Sequence, residues 1–201
     1  MSRNSLDALF GMMNSAFVDK ENQEYEKVVK ALEGVETVGQ MNKRSILRLK
    51  RHRNFGVEYE IPLGWHLFDR QEHKSVMYVD YAYDGPRQFM AAALRIRRLR
   101  GDYRGYENLD QLRKLALYVS KKTTAFDFKY IEEVLIGRRK GIKISGVDSS
   151  SDPNDIYDVD MYFFYKSKTE VMLFFCITSQ RTRAYYKRIF NKILSSIRYI
   201  R

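Results

Sequence analysis

IYDVDMYFFYKSKTEVMLFFCITSQ, residues 156–180, holds two strongly apolar runs joined by a short polar break, Ser167-Lys168-Thr169. Tyr, Phe, Val, Met and Ile crowd both runs, and each is short enough for a strand rather than a long helix. So little polar surface interrupts them that both faces of each strand must be covered. The pair is therefore expected in the middle of a sheet, as a hairpin. Cys176, the single cysteine, lies in this run and reads as a small buried hydrophobe. One cysteine excludes an intramolecular disulfide and a cysteine-built zinc cage.

Upstream, FKYIEEVLI (128–136) and GIKISGVDS (141–149) are joined by GRRK, a tight turn. The two hairpins in succession predict an antiparallel meander of four strands. Earlier still, Val57, Tyr59 and Ile61 alternate with Glu58 and Glu60, a half-exposed strand closed by Pro62 and Gly64. VMYVDYAYD (76–84) and FMAAALRIRRL (89–99) flank Asp84-Gly85-Pro86, which is turn chemistry. Asn108 is a candidate cap, with Gln111 three residues on, for a helix whose apolar stripe is Leu109, Leu112, Leu115, Ala116 and Val119. The chain closes on a second amphipathic helix with Tyr186, Ile189, Phe190, Ile193, Leu194 and Ile197 on one face. Strands, a helix, four strands and a helix make an α+β sandwich: an antiparallel sheet of about six or seven strands packed with helices.

The 201 residues suit one domain with an added segment, and 44% hydrophobic with 30% charged residues is the balance of a folded protein. Residues 1–54 are expected to form an N-terminal helical and basic segment, and 55–201 the sandwich. In the first segment, Tyr25, Val28, Val29 and Leu32 have helical spacing, and Leu6, Leu9, Phe10, Met13 and Phe17 suggest another helix. No stretch reaches the roughly 18–20 apolar residues of a membrane span, and the N-terminus makes a poor secretory signal. Read as it stands, the chain is expected to be soluble and cytoplasmic; an exported protein already stripped of its signal would read the same.

The net charge is +11, unevenly spread. Residues 1–40 carry four Lys/Arg against seven acids, and the remainder 32 against 18, hence −3 and +14. Two runs stand out. NKRSILRLKRHRN (42–54) contains Lys43, Arg44, Arg48, Lys50, Arg51 and Arg53; ALRIRRLR (93–100) contains Arg95, Arg97, Arg98 and Arg100. With Arg138, Arg139 and Lys140 of the GRRK turn they are candidates for one cationic partner-binding surface. Arg is suited to two-pronged contacts with carboxylate or phosphate. A solvated sheet face, and an edge strand kept from aggregating by its charges, explain the same runs without a partner.

Chemistry is harder to find. GWHLFDRQEH places His66, Asp69, Glu72 and His73 close in sequence, but at a spacing that suits neither one helix face nor one strand face. It reads as a partly exposed loop. DSSSDPNDIYDVD holds Asp148, Asp152, Asp155, Asp158 and Asp160 without the spacing of a calcium loop, and reads as a solvated loop before a strand. No nucleophile elbow, phosphate loop or dinucleotide fingerprint is present, so no cofactor, metal or catalytic residue is assigned.

The order of elements resembles the PsbP-like fold family. A strand ending in YEIPLGW leads to strands ending in ALRIRRLR. The NLDQLRKLA helix, a strand–GRRKG–strand hairpin, an aromatic hairpin and a closing helix ending in ILSSIR follow. That family includes the photosystem II extrinsic protein, a Ran-binding relative, and DcrB-type and Eag-type adaptor proteins. The likeness spans about residues 55–200. It implies a binding or accessory protein without chemistry of its own. The reading is a non-catalytic adaptor that binds a protein partner with an acidic surface through its Arg-rich face. A sequence-tolerant nucleic-acid binder is the alternative, with Tyr103 and Tyr106 as exposed stacking groups. An anionic membrane surface is a third, weaker candidate, and oligomeric state is not legible.

Overall fold

The computed structural model describes residues 47–70, 75–84, 86–103, 108–122, 126–152 and 155–200. Expectations for the helical segment of residues 1–46, and for Lys43, Arg44, Glu72, His73 and Tyr106, lie outside them.

A seven-stranded antiparallel sheet forms the centre. Its strands are β3 (His66–Arg70), β4 (Ser75–Asp84), β5 (Arg87–Arg100), β6 (Phe126–Ile136), β7 (Arg139–Asp152), β8 (Asp155–Ser167) and β9 (Glu170–Ser179). They lie in the order β3-β4-β5-β9-β8-β7-β6. The quoted hairpin is thus central, with β9 fourth of the seven, and its alternation serves two cores. On β9, Met172, Phe174 and Cys176 face one core, while Val171, Leu173, Phe175 and Ile177 face the other. A strand covered on both sides needs an apolar residue at every position, which is why no polar period shows in it.

Helix α1 (Leu109–Lys121) packs on one face, mainly against β7, and buries Leu112 and Ala116. The Asn108 side chain caps it by accepting from the Asp110 and Gln111 amides at 2.9 and 3.3 Å, satisfying N–H groups that have no partner inside the helix. Helix α2 (Arg183–Ser196) packs on the other face with Tyr186, Ile189, Phe190, Ile193 and Leu194 buried, as its spacing predicts.

A second sheet shares that face: β1 (Leu49–Asn54), β2 (Val57–Pro62) and β10 (Arg198–Tyr199), with β2 in the middle. Val57, Tyr59 and Ile61 of β2 are buried as expected from their alternation. β1 pairs with β2 along its whole length, from Leu49–Pro62 to Asn54–Val57, so residues 49–54 are bonded into the sandwich. The two sheets are locked through rings and hydroxyls. Tyr59 meets Tyr78 and Phe174 edge-on at 6.1 and 5.8 Å, and the Tyr59 and Tyr78 hydroxyls are 3.0 Å apart.

Several local expectations are corrected. HLFDR is a strand, not a loop, because β4 offers it a free edge to pair with from His66–Val79 to Arg70–Ser75. The closing helix stops at Ser196; Ile197 is extended, and Arg198 and Tyr199 cross to pair with Glu58 and Val57. The Asp-rich stretch is the far end of the β7–β8 hairpin rather than a loop, with Asp148 paired to Tyr157 and fully buried. The small second sheet, built from the β1–β2 hairpin and the distant β10, has no counterpart in the sequence expectations.

Candidate functional site: a basic end and a polar cleft

Tight turns gather at one end of the sandwich. Phe55-Gly56 joins β1 to β2, and Gly137-Arg138 joins β6 to β7. All four residues have positive φ, the conformation of two-residue hairpin turns that follow strand twist. The Ile200 amide donates to the Gly56 carbonyl at 3.1 Å. The Gly101 and Tyr103 amides donate to the Thr169 and Lys168 carbonyls, each at 3.0 Å, tying the end of β5 to the β8–β9 turn. One Arg139 Nη1 donates to the Tyr165 and Lys166 carbonyls at 3.0 Å while its guanidinium lies 3.7 Å from the Tyr199 ring.

This end collects Arg53, Arg98, Arg100, Arg138, Arg139, Lys166, Lys168 and Arg198 around two carboxylates. Glu170 binds Lys166 at 2.6 Å and lies 3.3 and 3.6 Å from Arg98 and Arg100. Arg98 also sits over the Phe55 ring at 5.5 Å. Glu58 holds Arg53 at 2.8 Å and Arg51 at 3.4 Å. Its carboxyl is held below the usual range, by the Arg53 hydrogen bond first.

The candidate cations thus divide. Arg53, Arg98, Arg100, Arg138 and Arg139 come together. Arg51 is spent on Glu58 and Glu60. Arg48 and Lys50, both exposed, lie at the other end of β1. Arg95 and Arg97 stand on the opposite sheet face from Arg98 and Arg100 by strand alternation, and both are half-buried. Burial lowers the Arg97 pKa. Lys140 is exposed on β7, with the opposite facing to Arg139. Tyr103 is not the exposed stacking group expected. It packs on Tyr165 with ring centroids 5.9 Å apart, and burial, then Tyr165, raises its pKa.

Glu170 is an internal counter-ion with a testable pH signature. The hydrogen bond from Lys166 depresses its pKa, and the nearby Lys166, Arg98 and Arg100 charges add to this against the opposing effect of burial. A depressed folded-state pKa contributes stability that is present above the unfolded value and lost as pH falls through the folded one. We expect Glu170→Gln to lower stability by about 1–2 kcal/mol at pH 7. The gap to the parent should close as the pH falls through and below the ordinary carboxylate range, followed by denaturant unfolding at a series of pH values. A gap that is independent of pH would show that Glu170 acts by packing alone.

A second feature carries no sequence signal. α2 covers only part of its sheet face, and a cleft of about 50 Å³ remains beside it over β6, β7 and β8. Its floor is polar. Lys143, 8% exposed, reaches Glu132 at 3.2 Å and Asp160 at 3.5 Å, and lies over the rings of Tyr130 and Tyr162. Burial pulls the Lys143 pKa down, but Asp160 and then the Glu132 hydrogen bond more than offset it, so it stands above the ordinary lysine value. The Ser145 hydroxyl donates to Asp160. Cys176 lies beneath, buried, its thiol pushed well up by burial. These states suit binding: the amine is held charged and the thiol neutral, and a nucleophile needs the reverse of each. His66 lies against Tyr81, and no cluster of three or more His, Cys, Asp or Glu able to hold a metal occurs among the described residues.

No protein-family model and no curated protein matches this sequence. Solved structures do match in shape. The Ran-binding protein Mog1p of Saccharomyces cerevisiae superposes with a TM-score of 0.54 at 6% identity, over 77% of this chain and 97% of that one. Cyanobacterial PsbP (CyanoP) of Synechocystis gives 0.52 at 13% identity, over 77% and 94%. This chain has the PsbP-like fold. The PsbP-like match bears out the architecture implied by the YEIPLGW strand, the GRRKG hairpin and the aromatic hairpin. At these identities it speaks for the fold alone, which hosts different functions. No helix among the described residues is long and apolar enough to cross a membrane.

Proposed function

We propose that this chain is a non-catalytic adaptor whose basic end docks an acidic surface of a protein partner. The observation that carries this is the convergence of the Phe55-Gly56, Gly137-Arg138 and Lys168-Thr169 turns, with Arg53, Arg100, Arg138 and Lys168 on a rigid rim. Arg100 and Arg53 keep 61% and 69% of their side-chain surface exposed although each has a carboxylate neighbour. A rim of this kind raises the rate of encounter with an acidic partner and fixes its orientation. Mog1p, which shares the fold, is a Ran-binding protein, so the scaffold is compatible with a protein partner.

The test is a pull-down from lysate at low salt, with and without nuclease. It compares the parent with a variant carrying Arg53→Ser, Arg100→Ser, Arg138→Ser and Lys168→Ser. A control carries Lys114→Ser and Lys121→Ser on α1. We expect a protein partner that survives nuclease and is held at least tenfold more weakly by the rim variant, about 1.4 kcal/mol, with the control unchanged. Retention by the rim variant sinks the proposal. Capture that disappears with nuclease supports a nucleic-acid partner instead, bound through its phosphates.

A further inference from the structure

We propose that the cleft beside α2 is a binding site for a phosphate-type dianion, taken either as inorganic phosphate or as the phosphoryl end of a small phosphomonoester. This inference is independent of the basic end, which lies at the turns rather than over this part of the sheet.

The argument starts from a bulge. Between Phe128 and Tyr130 the pairing of β6 with β7 slips by one residue: Phe128 faces Gly146 and Tyr130 faces Ser145, leaving Lys129 extra. A bulge re-aims side chains, and here Lys129 and Tyr130, consecutive residues that a regular strand would send to opposite faces, both line the cleft. Gly146 permits the distortion. A Cβ there would meet the Asp127 carbonyl oxygen at 2.2 Å and the Phe126 ring at 2.4 Å.

The charge balance comes next. Four cations line the cleft, Lys129, Lys143, Arg183 and Lys187, against two carboxylates, Asp158 and Asp160. Lys143 is paired with Asp160 at 3.5 Å and also with Glu132, outside the lining, at 3.2 Å, and Arg183 with Asp158 at 3.0 Å. Lys129 and Lys187 make no ion pair among the described residues. One comes from the sheet and one from α2, so two lysines without an ion pair among the described residues line the same small cleft from different walls. Tyr162 and Asn191 line the same space, and their side chains carry further hydrogen-bond donors.

Size and geometry then select the ligand. A cleft of about 50 Å³ is small for a ligand site and suits a compact group. Ammonium groups act as point charges, without the planar fork by which Arg grips a carboxylate edge-on. A tetrahedral dianion presents oxygens in several directions and can meet two lysines from different walls at once. A carboxylate carries one charge in one plane.

The experiment is a titration of the full chain, followed by amide ¹H–¹⁵N spectra at constant ionic strength. The probes are inorganic phosphate, glycerol 3-phosphate and succinate, with chloride as the reference. Saturable shifts at Lys129, Tyr130, Lys187 and Asn191 with phosphate or glycerol 3-phosphate support the proposal. The tighter of the two names the source. Lys129→Met with Lys187→Met should weaken that binding at least tenfold, while Lys187→Arg retains it; both positions are exposed, so the variants are expected to fold. The proposal is overturned if the shifts do not saturate, centre on residues 98–100 and 137–139, survive unchanged in the double variant, or follow succinate more tightly than phosphate.

Discussion

Phe174→Ala should lower the unfolding free energy by about 3–5 kcal/mol, the cost of emptying a large aromatic site that cannot collapse. Phe174 is fully buried on β9, and its ring meets Tyr59 of the small sheet at 5.8 Å and Phe164 of the neighbouring strand at 5.5 Å. The walls of the cavity would be sheet backbone on one side and the second sheet on the other, both held by hydrogen-bonded ladders. Relaxation is therefore small and the lost contacts are not recovered. A domain of this kind is stable by only about 5–15 kcal/mol, so the variant should unfold at much lower urea. Phe174→Leu, which keeps most of the volume, should cost less than half as much. If Phe174→Ala costs under about 1 kcal/mol, the two sheets are not coupled through this ring.

Gly137→Ala is expected to cost about 2–4 kcal/mol, from two sources that can be separated. The residue has φ +51°, and a Cβ there would lie 2.4 Å from the Ile197 carbonyl oxygen, a backbone atom that cannot rotate away. Gly64 is the internal control. Its φ is +94°, yet nothing lies within 4 Å of a Cβ, so Gly64→Ala carries only the backbone strain. Equilibrium unfolding of both variants should show the Gly137 substitution costing at least 1 kcal/mol more. The excess measures how tightly the β6–β7 turn is pressed against the end of α2. Equal losses would mean that this turn moves aside freely. The functional consequence follows from the neighbour: Arg138 is carried on the same turn, so loosening it should also weaken partner binding in the pull-down comparison.

Much of the architecture was legible because strand and helix periods are local. Tyr59 and Glu58 are adjacent in sequence and must point apart on a strand. Leu112 and Ala116 are four apart and must share a helix face. Reading those periods placed the meander, both helices and the central hairpin. HLFDR and Arg198-Tyr199 were missed because each is too short to be a strand without a neighbour. β4 and β2 supply the hydrogen-bonding edges, and those lie elsewhere in the chain.

The candidate site divides along the same line. Composition and alternation alone determined that the chain is basic, that its arginines sit largely on strands and turns, and that Cys176 is core. Only the tertiary structure decided which cations are committed. Glu170 meets Lys166, Arg98 and Arg100 because β5, β8 and β9 are neighbours, and Glu58 takes up Arg51 and Arg53 because β1 pairs with β2. It also decided that Lys129 and Lys187, 58 positions apart in the chain, line one cleft. A side chain's own direction follows from its near neighbours through backbone geometry. The charges it meets depend on strand order and on a single-residue slip in register, which are settled by the packing of the whole domain.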